Sequence, residues 1–361
     1  MSVVVESEPG SGLRRPIVYR PESAVFWVYL SALAVGICGA LSAFGGAIAE
    51  TIDGQIEQAP LWFALAVFMV WVIYKFDPYR SVRRYPQVLL AGASLGGTTA
   101  LFISFHASAG LDKLFERFVS PETMAVWGSA LHAPLSEEAS KAACAAVVLV
   151  LGASVFTRIS HALMLGMFVG LGFDLVEDLA YAAQAGIESL DSDGLGIGKS
   201  IILRGVTAVP AHWSYTALSA VGVLLLLPSF AGRDTWGRAK RIAVALGLFA
   251  TAVLMHFIWD TPFMSPVIML GKLVIDLAIF LTVAALLIGD ERRWVRERIA
   301  AGRSEPPLSD VDGAVLDSLV DRRSRRQFRR AARREGGRAG KKAAIRRQRA
   351  ALDLIQSCGE R

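Results

Sequence analysis

Long apolar runs separated by short polar segments make up most of the chain. Eight of them approach the roughly 20 residues that a helix needs to cross about 30 Å of hydrocarbon. They are Ala24–Ala49, Leu61–Phe76, Gln87–His106, Ser136–Gly152, Ile159–Ala185, Val206–Leu227, Arg241–Trp259 and Pro266–Gly289. The pattern predicts an all-α fold, a polytopic membrane helix bundle of about eight transmembrane helices. The second and fourth runs are short, and the fourth opens on two glutamates. Ahead of it, Leu111–His132 is amphipathic and is expected to lie at the interface or dip into the membrane before a break at Pro134. Ala47-Ile48-Ala49 resembles a signal-cleavage site. The apolar run before it, about 25 residues, exceeds the 7–15 of a secretory signal and is expected to be an uncleaved span.

Charge in the connecting segments orients the bundle. Arg14, Arg15 and Arg20 precede the first span, and only acids lie between the first and second. Lys75, Arg80, Arg83 and Arg84 follow the second, and Arg158 follows the fourth. Glu188, Asp191 and Asp193 outweigh Lys199 after the fifth, and Arg233, Arg238, Lys240 and Arg241 follow the sixth. Basic segments alternate with neutral or acidic ones, which puts both termini in the cytoplasm and requires an even number of spans. Three parts result: a cytoplasmic segment 1–23, a bundle 24–289 and a basic cytoplasmic tail 290–361. The expected location is a bacterial-type plasma membrane, crossed many times.

Composition sharpens the division. The 361 residues are 53% hydrophobic and 19% charged, with a mean hydropathy of +0.45. Asp290–Arg361 carries 20 Lys+Arg against 11 Asp+Glu, and the body carries 18 against 21. The net +6 therefore belongs to the tail. These numbers exclude a soluble Rossmann-type enzyme, a collagen and a disulfide-stapled secreted domain. Cys38, Cys144 and Cys358 have no metal-ligand or redox spacing and read as packing residues. Glycines such as Gly92, Gly96, Gly97, Gly166, Gly170 and Gly172 let membrane helices approach closely.

Ionisable groups inside spans are costly and mark functional sites by default. Glu137 and Glu138 lie near the outer end of span four, with Lys141 one turn deeper. Glu177 and Asp178 lie in the outer half of span five. His212 is the seventh residue of span six, and His256 lies one turn before the outer end of span seven. Four consecutive spans thus place an acid or a histidine in one layer, roughly 5–10 Å inside the outer boundary at 1.5 Å rise per residue. Lys141 is one turn from both glutamates and can pair with them. Adjacent glutamates point about 100° apart, so one faces the site while Lys141 holds the other. Asp260 is four residues from His256 and can orient its ring. Phe173, one turn before Glu177, can wall the pocket.

Two chemistries fit this set. Two histidines with a glutamate form a three-ligand zinc constellation with a separate glutamate as base; the ligand set so read is His212, His256 and Glu177. Without metal, a glutamate takes a proton from water while histidine or a second acid stabilises the oxyanion.

Ala133-Pro134-Leu135-Ser136-Glu137-Glu138-Ala139-Ser140-Lys141 resembles the A-P-x-x-E-E-x-x-K signature of the PrsW family of membrane proteases. Gly172-Phe173-Asp174-Leu175-Val176-Glu177-Asp178 is similar to its G-x-F-x-x-x-E-N segment, with Asp178 in place of Asn. His212 and His256 fall where the family carries a histidine in each of the next two spans. The resemblance covers about Leu131–Asp260. It implies a protease cutting a membrane-anchored protein, of the anti-sigma-factor kind, on its extracytoplasmic side in regulated proteolysis. It places Glu137, Glu138, Glu177, His212 and His256 in the catalytic set and Lys141, Phe173, Asp178 and Asp260 in support, and it implies a metal, Zn2+ being the expected ion.

Other readings remain beside it. A proton- or cation-coupled transporter or channel can use the same residues, and a silent scaffold can recruit a partner through the tail. Asp276 and Lys272, one turn apart, read as a structural pair. His106, His132 and His161 read as interface residues, and Trp27, Trp62, Trp71 and Trp294 as interface anchors. The arginine-rich tail is expected to be either disordered or an amphipathic helix on anionic lipid. With one aromatic in its basic stretch, Phe328, it lacks a stacking platform for nucleic acid.

Overall fold

The computed structural model describes residues 17–358, so Arg14 and Arg15 lie outside the described residues. Every regular element among them is helical: α1 Ala24–Glu50, α2 Ile52–Ile73, α3 Pro86–Leu95, α4 Leu101–Phe115, α5 Pro121–Leu151, α6 Ile159–Ile187, α7 Asp193–Thr207, α8 His212–Leu226, α9 Arg238–Asp260, α10 Pro266–Gly302, α11 Gly313–Ser318 and α12 Arg322–Cys358. A π turn at Gly96–Ala100 joins α3 to α4 in one long rod.

Among the described residues, six helices are long and apolar enough to cross a membrane, and a seventh span arises if α7 and α8, bent by 47° at their junction, are taken as one. Their outer surfaces carry exposed Leu41, Val67, Trp71, Leu246, Leu270 and Leu286, as helices facing hydrocarbon do. α5 has the length of a span. Its Glu137, Glu138 and Lys141 make it too polar to count by composition, and its packing inside the protein makes apolarity unnecessary.

Two expectations about these helices change. α5 does not break at Pro134 but runs straight through it. Ser120 caps its start by accepting from the Thr123 amide at 3.3 Å, and Pro121 occupies the first helical position. Near the proline, the Ser136 hydroxyl donates to the His132 carbonyl at 3.0 Å and lies 2.7 Å from Ser108 of α4, a polar tie between the two helices. The expected sixth span, by contrast, breaks: residues 208–211 are not helical, and His212 begins α8 instead of lying inside a helix. Pro210 accounts for this, because it lacks an amide donor and disfavours helical backbone in the residue before it.

α6 is the central post, enclosed along almost its entire length by α3, α5, α7, α8 and α10. Glycines set the distances. A Cβ on Gly96 would collide with the Val169 carbonyl, and one on Gly170 with the His212 carbonyl and the Trp213 backbone. α3 and α8 therefore lie backbone against backbone on α6. This close approach fixes where His212 sits relative to Glu177.

The tail is folded. α10 continues beyond its apolar stretch, and α12 reverses at Gly336 and Gly337, where φ is +58° at Gly337, a left-handed conformation that suits glycine. Inside the arginine-rich composition, Ala344, Gln348, Ala351, Leu352 and Ile355 form a buried helical stripe. Leu352 and Ile355 join Val295, Ile299, Leu316 and Leu319 in a second small core around Tyr79. Polar ties fasten it: Arg80 pairs with Asp353 at 2.6 Å, and Arg325 donates to the Pro78 carbonyl at 2.6 Å. The buried Gln356 amide donates to the Tyr79 carbonyl and to Glu291, both at 3.0 Å. Arg158 pairs with Glu291 at 2.9 Å and stacks over Trp294, which packs half-buried against this second core. His161, expected at an interface, is buried in the same network, 2.7 Å from Arg158.

Candidate active site

Each site residue is delivered by helical spacing. On α5, Glu137 and Glu138 lie one and nearly one turn before Lys141 and converge on it. The Lys141 ammonium is 2.7 Å from Glu138 Oε1 and 3.4 Å from Glu137 Oε2. Both glutamates also reach the histidines. Glu138 Oε1 is 3.1 Å from His256 Nδ1, and Glu137 Oε2 is 3.7 Å from His256 Nε2 and 3.6 Å from His212 Nδ1. The division of labour differs from one facing the site and one facing the lysine. Glu138 and Lys141 are fully buried together, while Glu137 keeps some access.

α6 contributes the opposite wall. Glu177 Oε2 is 3.2 Å from His212 Nε2, and the Phe173 ring meets the His212 ring edge-on with centroids 4.9 Å apart. The Lys141 ammonium lies 4.3 Å above the Phe173 ring, a cation–π contact that helps a buried charge persist. Asp174 accepts the Trp213 amide at 3.2 Å, so it anchors the first turn of α8 and with it His212. From α9, Asp260 Oδ2 approaches His256 Nε2 at 3.4 Å, as the four-residue spacing predicts. The two imidazoles stand 4.8 Å apart, and Tyr215 stacks on His256 at 5.4 Å.

Three residues change the sequence reading. Arg204, near the end of α7, donates to Glu177 at 2.6 Å and makes a short contact with Asp178. The apolar run from Val206 leaves Arg204 in a segment of mixed charge, where the sequence does not single it out. The signal available was a cation at the edge of an apolar run, on the same side of the membrane as Glu177 and Asp178. Asp178, the departure from the family's asparagine, is thereby given a cationic partner. Asp276 does not pair with Lys272: it accepts from the Tyr215 hydroxyl at 3.2 Å, while Lys272 donates to the carbonyls of Trp259 and Thr261 at 2.9 and 2.5 Å. The lysine therefore ties α10 to the turn after α9.

A second carboxylate stands with the two histidines. Glu137, His212 and His256, one from each of three helices, each offer a ligand atom, and these atoms lie within 4.8 Å of one another. Two imidazole nitrogens and a carboxylate are a donor set that zinc accepts. Glu138 on His256 Nδ1 is the outer-shell carboxylate that commonly orients a ligating ring. The three residues together offer a donor set that fits a metal ion. Glu177, bonded to Arg204 at 2.6 Å, borders this group at 3.2 Å from His212 Nε2, and the Lys141 ammonium borders it at 2.8 Å from His212 Nδ1. Next to these groups, Asp174, Asp178, Arg204, His212, Tyr215 and Trp259 line a cavity of about 40 Å³, enough for one to a few waters.

A family model described as PrsW family intramembrane metalloprotease matches residues 85–288, more than half of the chain. The chain belongs to this family. The match spans α3 to the apolar part of α10 and so contains every residue of the site, while α1, α2 and the folded tail lie outside it. Comparisons with curated proteins and with solved structures find no match. The PrsW assignment agrees with the motif order in the sequence and with a membrane-helix bundle that gathers those motifs.

Proposed function

We propose that this protein is a membrane endopeptidase that hydrolyses a peptide bond of a membrane-anchored protein, of the anti-sigma-factor kind, near the extracytoplasmic face. The observation that carries the reading is the meeting of Glu137, His212 and His256 from three separate helices, walled by Glu138 and Glu177. Basic segments on the side of the tail support a cytoplasmic position for that side and a site that opens towards the other face.

Glu137, His212 and His256 would hold a divalent metal ion, Zn2+ being suited to the donor set. Bound there, it would polarise the scissile carbonyl and acidify a water. The remaining groups act on geometry and protons. Glu177 is the base that takes a proton from water, because it borders the cluster without belonging to it. Arg204 fixes its orientation and presents a guanidinium to the cavity, where negative charge develops on the carbonyl oxygen. Glu138, Lys141 and Asp260 lock the ring positions. Asp174 holds the start of α8.

The test is cleavage of a co-expressed single-span substrate in membranes. Glu137→Gln, Glu177→Gln and His256→Ala should each abolish cleavage at unchanged protein level. Normal cleavage by all three variants would overturn the assignment.

A further inference from the structure

A second cavity, of about 460 Å³, lies where α10 leaves its apolar stretch. Ala285, Ile288, Arg292 and Arg296 line one face of that helix at helical spacing, and Arg322 and Arg323 at the start of α12 face them. The wall thus passes from aliphatic to cationic over about 16 Å of helix, at 1.5 Å per residue. That is the profile of a membrane interface, and the volume is that of a small-molecule site.

The charge in this cavity is unbalanced. Four guanidinium groups face one carboxylate, Asp321, and that carboxylate already caps α12 by accepting the Ser324 amide at 2.8 Å. None of the four makes a salt bridge to a carboxylate among the described residues. The nearby basic loop is different: Arg80 is bound to Asp353, and Arg83 pairs with Asp77 at 3.5 Å while covering the Tyr74 ring. Four like charges gathered around a concave, solvent-facing surface attract an anion. Arginine forks match phosphate oxygens in particular.

We propose that this cavity binds the phosphate of an anionic phospholipid, with the headgroup between Arg292, Arg296, Arg322 and Arg323 and an acyl chain along Ala285 and Ile288. The apolar wall favours a lipid over a free phosphate ion. The site would tether the folded tail to the bundle at the membrane surface, independently of the proteolytic reading.

The experiment uses the purified full-length protein in neutral detergent and follows thermal unfolding as phosphatidylglycerol, phosphatidylcholine or inorganic phosphate is added. Arg292→Gln/Arg296→Gln is compared with Arg326→Gln/Arg330→Gln, which removes the same charge from exposed positions outside the cavity. Phosphatidylglycerol should raise the unfolding midpoint of the wild type and of the control variant, and phosphatidylcholine should not. The cavity variant should need about thirtyfold more phosphatidylglycerol for the same shift, at about 1 kcal/mol for each lost cationic side chain. An equal response from the cavity variant would overturn the proposal. So would inorganic phosphate matching phosphatidylglycerol, which would make the occupant a free ion.

Discussion

Lys141→Met removes the one ammonium on which both glutamates of α5 converge. The ammonium is wholly buried, 2.7 Å from Glu138 and 3.4 Å from Glu137. At an effective dielectric of about 20, those separations correspond to gross attractions of about 6 and about 5 kcal/mol. Removing the lysine also removes its own desolvation cost, several kcal/mol, so the net loss expected is about 3–5 kcal/mol, as when one partner of a buried pair is deleted. That is a drop of roughly two to three and a half powers of ten in the folding equilibrium. Trp213, fully buried beside the site, gives a fluorescence readout of reversible unfolding in mixed micelles. The double variant Lys141→Met/Glu138→Gln removes both charges of the closest pair and should recover at least half of the loss, which makes the interaction measurable as a double-mutant cycle. The reasoning fails if Lys141→Met unfolds within about 1 kcal/mol of wild type, or if the double variant is no more stable than the single one.

Three further outcomes are expected. Metal analysis of purified protein should show Glu137→Gln, His212→Ala and His256→Ala depleted of metal while Glu177→Gln retains it; retention in Glu137→Gln with depletion in Glu177→Gln and both histidine variants would favour the ligand set read from sequence. Gly170→Ala should cut activity at least tenfold and destabilise by about 1–3 kcal/mol, because its Cβ meets backbone atoms of His212 and Trp213. Gly247→Ala, whose Cβ meets nothing within 4 Å, should be neutral or stabilising by up to about 1 kcal/mol in the same assays. Gln356→Ala should loosen the tail by about 1–3 kcal/mol, since it strips a buried amide bonded to the Tyr79 carbonyl, Glu291 and Arg158. Limited trypsin digestion reads this as faster cutting within residues 322–349, and an unchanged rate would count against the tie.

Much of the site was legible in the sequence because membrane burial makes charge conspicuous. Glu137, Glu138, Glu177, His212 and His256 stand out from apolar runs. Their depth along each helix follows from a fixed rise per residue, so their common layer could be found without coordinates. The pairs one turn apart, Lys141 with the glutamates and Asp260 with His256, follow from the same periodicity. What failed were contacts between residues far apart in the chain. Asp276 looked paired with Lys272 by spacing, yet the tertiary partner is Tyr215, 61 residues away. The tail read as either disordered or an amphipathic helix on lipid; its stripe of small and aliphatic residues instead docks it on Tyr79.

By itself, the sequence determined a helical membrane protein, its family motifs and a polar layer, because apolar length and helical period are local properties. Only the tertiary structure decided that Arg204 reaches across from α7 to Glu177 and Asp178, and that Glu137 stands with the two histidines. Which carboxylate joins which imidazole depends on the rotation and separation of packed helices. Those are set by glycine-to-backbone contacts such as Gly170 against His212, and no single helix contains that information.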